Sequence, residues 1–172
     1  MDQALGWAQR SLWLTSPNPR VGCVLVDPTG RTIGQGHTQQ AGGPHAEVMA
    51  LRDAAAQGHS TAGATAYVTL EPCSHQGRTG PCCDALIKAG VRKVIASIAD
   101  PNPLVAGQGF ARLRAAGVDV EVGPGAVESR ELNIGFFSRM LRKTPWVRMK
   151  IAASLDGKTA LDDGTSQWIT SE

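Results

Sequence analysis

A three-layer α/β/α domain on a mixed central sheet is the fold the sequence predicts, and three observations predict it. Residues 21–27 (VGCVLVD) form a near-continuous apolar run, as expected of a strand covered on both faces. A Pro28-Thr29-Gly30 turn sends the chain back through residues 31–37 as the second arm of a hairpin. From residue 45 onward helical and strand patterns alternate, which requires crossover helices and parallel neighbours.

The elements follow in order. Residues 1–14 read as a helix, with Ala4, Leu5, Ala8, Leu12 and Trp13 near helical spacing, and Thr15-Ser16-Pro17-Asn18-Pro19 breaks it. After the hairpin, Ala41-Gly42-Gly43-Pro44 leads into an Ala-rich helix over residues 45–57. Residues 64–70 (ATAYVTL) make a third strand, which runs into Glu71-Pro72-Cys73 and a polar loop from Ser74 to Gly80. Pro81 suits a first-turn position, and residues 82–89 form a helix closed by Gly90. A strand over 91–98, the loop Asp100-Pro101-Asn102-Pro103, a helix over 109–116 and a strand over 118–122 complete the alternation. A further helix is predicted over 129–143. At Pro145 something new begins: an apolar strand, an Asp-Gly turn and a polar run to Glu172. That stretch is too short to bury its own core. Residues 1–144 are therefore expected to be one domain and 145–172 the truncated start of a second.

Composition narrows the function classes. The chain has 172 residues with 17 Lys+Arg against 15 Asp+Glu, a net charge of +2, and 42% hydrophobic residues, an ordinary globular balance. So small a net charge gives no support to broad nucleic-acid binding. No apolar run approaches the ~20 residues that span a bilayer, and the polar N-terminus is not a signal peptide. The expected compartment is the cytoplasm, where thiols stay reduced. The four cysteines, Cys23, Cys73, Cys82 and Cys83, are then metal ligands, catalytic thiols or core rather than disulfides.

Three features fall at element ends: Pro44-His45-Ala46-Glu47 opens a helix, Glu71-Pro72-Cys73 ends a strand, and Pro81-Cys82 opens the next helix. One histidine and two cysteines are three protein donors, and three donors with one free position mark a catalytic rather than a structural zinc. Two thiolates cancel the charge of Zn²⁺, leaving it able to acidify a bound water. On spacing alone either Cys82 or Cys83 can be the third donor. Cys82 is favoured because it directly follows Pro81, and successive helical residues point about 100° apart, so the other faces elsewhere. Residues i and i+2 of a regular helix do not share a face. His45 and Glu47 can therefore address one metal only if His45 sits at the helix start, outside helical geometry. Glu47 would then stand beside the metal without ligating it, placed to carry a proton. The order H-x-E…P-C is that of zinc-dependent base deaminases, with Glu as general acid/base. The departure is the spacing: eight residues separate Cys73 from Cys82, where the general pattern has two. Of the remaining residues, Cys23 reads as core and His59 as surface. His37 and Asn18 stand open between turn residue and ligand contact.

The block from Glu71 to Cys82 (EPCSHQGRTGPC) resembles that of the riboflavin-biosynthesis deaminase family, which carries this long loop between its cysteines. Asn18-Pro19-Arg20-Val21-Gly22, Asp100-Pro101-Asn102-Pro103 and Ser154-Leu155-Asp156-Gly157-Lys158-Thr159 look like further blocks of the same family, with Gly80 where it usually has proline. The resemblance implies a cytidine-deaminase-like domain followed by the opening of an NADPH-dependent reductase resembling dihydrofolate reductase. It implies hydrolytic deamination of a diaminopyrimidinone ribosylamine 5′-phosphate. His45, Cys73 and Cys82 would hold one zinc per chain, with Glu47 as proton shuttle. By the same resemblance Asn18, His37, His75, Arg78 and Asn102 would hold this small-molecule substrate, Arg78 offering a charged fork for its phosphate. Ala152, Ser166 and Trp168 fall where the family contacts NADP or substrate. Neither nucleic acid nor membrane is expected as a partner, and a homo-oligomer is. Two rival readings are a cytidine or tRNA-adenosine deaminase sharing the zinc core, and a structural zinc module. A fourth protein donor such as Cys83 or His75 would support the module.

Overall fold

The computed structural model describes residues 1–75, 80–103 and 105–166. Five strands form one sheet in the order β2-β1-β3-β4-β5: β1 (Gly22–Val26), β2 (Thr32–His37), β3 (Thr65–Val68), β4 (Lys93–Ala96) and β5 (Asp119–Val122). The β1–β2 and β1–β3 pairs are antiparallel, while β3–β4 and β4–β5 are parallel. The sheet is mixed, as expected, and the parallel neighbours are those joined by crossover helices. Those helices are α3 (Cys82–Lys88) and α4 (Gln108–Ala115).

Strand alternation sorts the remaining helices into layers. Gly34 and Gly36 pair with Leu25 and Cys23, and a Cβ on either glycine would meet Met49, Ala50 or Ala54 of α2 (Ala46–Ala56). Ala66, Val68, Val94 and Ala96 continue that face across β3 and β4, and with Leu86 and Leu113 form the buried core. The opposite face carries Gly22, where a Cβ would overlap the backbone of α1 (Asp2–Gln9). It also carries Gln35, whose Oε1 accepts the Trp7 Nε1–H at 2.8 Å. Thus α1 and α2 lie on opposite faces of the sheet, and three layers result.

Three expectations about elements are corrected. The first helix ends at Gln9 rather than residue 14. Beyond it the chain tightens into turns, with Ser11 N–H bonding Ala8 O at 3.1 Å and Leu12 N–H bonding Gln9 O at 3.0 Å, and leaves Trp13 exposed. The helix predicted over 129–143 is three short pieces: α5 (Ala126–Leu132), α6 (Ile134–Phe137) and a π-helical turn (Ser138–Arg142). Asn133 breaks it. Its side chain accepts the Arg20 N–H at 2.7 Å and donates to the Arg20 carbonyl at 2.9 Å, which holds it out of helical geometry. Residues 145–160 join no sheet among the described residues, and Val147 and Met149 are about four-fifths exposed. The Asp156-Gly157 turn is present, closed by Ser154 N–H to Lys158 O at 2.9 Å.

Candidate metal centre

Three chain segments converge at one end of the sheet. His45 is the residue preceding α2 and has extended geometry (φ −79°, ψ 169°), so it is not in helical phase with Glu47. Cys73 follows β3 by a short loop, and Cys82 opens α3 behind Pro81. His45 Nδ1 lies 3.6 Å from Cys73 Sγ and 3.3 Å from Cys82 Sγ, and the three donor atoms all fall within 4.8 Å of one another. Tetrahedral zinc with Zn–S of about 2.3 Å and Zn–N of about 2.1 Å separates its donors by about 3.6 Å. The spacing and the chemistry of this donor set therefore fit zinc.

Cys83 takes no part in that group. Its Sγ donates to the Pro72 carbonyl at 3.2 Å and contacts the Gly109 carbonyl at 3.5 Å. His75 is exposed, and it too is absent from the donor set, so among the described residues no fourth protein donor closes the tetrahedron.

The electrostatics follow from burial and from hydrogen bonds among the donors. The Cys73 thiol falls well below its ordinary value because the Cys82 thiol hydrogen-bonds to it, with His45 and the Cys82 backbone N–H adding. The Cys82 thiol rises for the reciprocal reason. His45 is raised by its bond to Cys73. Glu47 is 3% exposed, and burial pushes its carboxyl up to about 7, with the Cys73 charge adding and His45 opposing. A carboxyl poised near neutrality beside a metal can both take and return a proton.

Two of the donors, His45 and Cys73, open onto a cavity of about 420 Å³, while Cys82 is buried behind them. Of the residues singled out in the sequence, Asn18, His45, Glu47, Cys73, His75 and Asn102 line it. His37 does not. Its ring stacks on Trp7 with 5.8 Å between centroids and its Nδ1 lies 3.1 Å from Ser11 Oγ, so it braces β2 against α1 while the neighbouring Thr38 reaches the cavity. Arg78 and Trp168 lie outside the described residues. Ala152 and Ser166 are away from this cavity, and the Ser166 hydroxyl donates to Thr159 O at 3.2 Å.

Several wall residues were not foreseen. Asp100 is buried in the wall, and desolvation pushes its carboxyl up to about 6, opposed by its bond from the Asn102 N–H. The sequence marks its motif as a loop and as a block resembling the family, but singles out only Asn102 within it. Phe136, Arg139 and Met140, from α6 and the π-helical turn, close the far side. No local pattern marks them. Arg112 stiffens the rim by pairing with Asp84 at 2.7 Å and donating to the Ser74 carbonyl at 3.0 Å.

Residues 1–98 match the family described as the cytidine and deoxycytidylate deaminase zinc-binding region, and residues 145–172 match the RibD C-terminal domain. The riboflavin biosynthesis protein RibD of Escherichia coli is 57% identical over 171 residues, covering 99% of this chain and 46% of that protein. The corresponding Aquifex aeolicus protein is 48% identical, covering 100% of this chain and 47% of its own length. The chain thus spans about half the length of the curated relatives it matches. Among solved structures, Acinetobacter baumannii RibD superposes with a TM-score of 0.88 at 52% identity, over 99% of this chain and 47% of that one. The Thermotoga maritima diaminohydroxyphosphoribosylaminopyrimidine deaminase/5-amino-6-(5-phosphoribosylamino)uracil reductase gives 0.94 at 42%, over 99% and 48%. A tRNA:A34 deaminase gives 0.61 at 28%, over 77% of this chain and 96% of that one.

Proposed function

The chain belongs to the cytidine and deoxycytidylate deaminase zinc-binding family, and from that premise we propose that it hydrolyses 2,5-diamino-6-(5-phosphoribosylamino)pyrimidin-4-one. The products are 5-amino-6-(5-phosphoribosylamino)uracil and ammonia. The observation that carries the reading is the buried Glu47 standing with His45 and Cys73 on the wall of one cavity, with the Cys82 donor grouped behind them. The substrate class is supported by likeness over nearly the whole chain to RibD proteins, against a lower likeness to the tRNA deaminase.

His45, Cys73 and Cys82 hold the zinc, which when bound supplies the Lewis acidity that makes water nucleophilic at neutral pH. Glu47 takes a proton from the water that adds to the amine-bearing ring carbon. It then returns that proton to the amine nitrogen as the carbon–nitrogen bond breaks and ammonia leaves, and the added hydroxyl passes its own proton to the ring nitrogen, so a ring carbonyl remains. Water is consumed and nothing is oxidised or reduced. Asn18, His75 and Asn102 orient the pyrimidine and its ribosyl phosphate from the cavity wall, and Arg78 is assigned to the phosphate.

In this reading residues 1–144 are the deaminase and 145–172 begin the reductase domain, to which NADPH belongs. A small phosphorylated pyrimidine as substrate supports a cytoplasmic enzyme. No helix among the described residues is long and apolar enough to cross a membrane. Exposed Trp146, Val147 and Met149 support self-association.

The test is ammonia release from that substrate by zinc-loaded protein. Glu47→Gln is expected to lower kcat by about 10²–10⁴-fold with zinc content unchanged. Release at the wild-type rate by the variant would overturn the role of Glu47. Release from cytidine alone by the wild type would overturn the substrate.

A further inference from the structure

Glu71 follows β3 and is 4% exposed, yet no lysine or arginine pairs with it among the described residues. Its partners are four backbone N–H groups, two in the loop after β4 and two in the first turn of α4. Oε2 accepts from Asp100 at 3.1 Å and Gly107 at 2.9 Å, and Oε1 accepts from Gly109 at 2.9 Å and Phe110 at 3.4 Å. A carboxylate has about four acceptor sites. Although Glu71 lines the cavity, it has none left for a ligand.

The four donors grip the loop at both ends. Asp100 lies four residues beyond the end of β4, and Gly107, Gly109 and Phe110 are the cap and first turn of α4. Between them Asn102 and Val105 form cavity wall, and the Asn102 N–H in turn donates to Asp100 Oδ1 at 2.8 Å. The first turn of α4 has no side-chain cap of its own, because Gly107 occupies the capping position with φ +82°. The Glu71 carboxylate fills that role from across the fold, where the helix dipole also favours it. Two residues on, Cys73 is a zinc donor. The intervening Pro72 carbonyl is pinned by the Cys83 thiol and pressed by Gly109, where a Cβ would overlap it.

We infer that Glu71 is a positioning residue that locks the 100–109 loop to the zinc-bearing strand end and so sets how tightly substrate is held against the metal. The inference rests on the substrate occupying this cavity, as proposed above. Glu71 does not touch the reacting atoms; it acts through Asp100 and Asn102.

Two variants test it. Glu71→Gln keeps the shape but turns an amide N–H₂ toward two of the four donors. Glu71→Asp keeps the charge and retracts it by one methylene. For zinc-loaded Glu71→Gln, KM is expected to rise about tenfold or more while kcat stays within about threefold, with zinc content near one per chain and a smaller KM rise for Glu71→Asp. Backbone hydrogen exchange on the zinc-loaded, substrate-free protein is the second readout. Protection should be lost over residues 100–110 and retained in α2 and α3. An unchanged KM in a folded variant, lost zinc, or protection lost evenly across the domain would each overturn the inference, as would failure of both variants to fold. If wild-type protein releases no ammonia, the substrate reading fails separately, and the exchange pattern alone decides whether the lock exists.

Discussion

Cys82 and Cys83 are neighbours in the chain with opposite roles. A helix turns about 100° per residue, and Cys82 Sγ faces His45 at 3.3 Å while Cys83 Sγ turns back to the Pro72 carbonyl. Cys82→Ser replaces a thiolate donor with an alcohol that stays protonated. Zinc measured by atomic absorption on dialysed protein is expected to fall from near one per chain to near zero. Cys83→Ser keeps a donor for Pro72, so zinc should stay near one and stability should change by less than about 1.5 kcal/mol in denaturant unfolding. The reverse pattern would reassign the third donor. Spacing left the two level in the sequence, and only Pro81 hinted at the phase of the helix start. His37 shows the same limit in a strand. A one-residue step reverses the face, and His37, paired with Gly22, falls on the α1 side while Thr38 reaches the cavity.

Close approach of helices to strands explains which elements were legible. Gly34 and Gly36 let α2 lie directly on β2, and Gly22 does the same for α1 on β1. Gly34→Ala would drive its Cβ into the Ala50 carbonyl. Overpacking of this kind costs about 1–3 kcal/mol, which should lower Tm by roughly 2–10 °C in calorimetry. Gly6→Ala is the control. Gly6 lies within α1 with nothing near its Cβ, so helix propensity should make the change neutral or stabilising by up to about 1 kcal/mol. A destabilised Gly6→Ala, or a neutral Gly34→Ala, would contradict this account of the layers. The strands and α2 to α4 were readable because apolar periodicity is local. The last helix was not. Asn133 is held by Arg20, 113 residues away in sequence, and that bond divides one predicted helix into α5, α6 and a π-helical turn. Such turns often mark functional sites, and this one brings Arg139 and Met140 to the cavity.

At the scale of the whole molecule, the proposed metal donors were legible because each sits at the end of a locally readable element. The far wall was not, since residues 136–140 reach the cavity through tertiary packing of the segment that Asn133 ties to Arg20. The segment from residue 145 poses the opposite case, an apolar stretch whose sequence predicts a strand but which finds no sheet partner. A strand must pair its backbone groups, and residues 145–166 remain largely exposed. Arg142 stacked over the Trp146 ring at 6.0 Å is a contact that crosses the boundary. An exposed pair of that kind is worth about 0.5–1 kcal/mol. Removing residues 145–172 is therefore expected to lower the Tm of the zinc-loaded protein by less than about 4 °C and to leave its zinc content near one. The deletion also strips Trp146, Val147, Met149 and Ile151 from the surface. Any self-association that depends on them should weaken, with sedimentation velocity showing a shift toward monomer. A Tm loss well beyond that range would mean that the segment docks on the deaminase core, and the division at residue 144 would have to move.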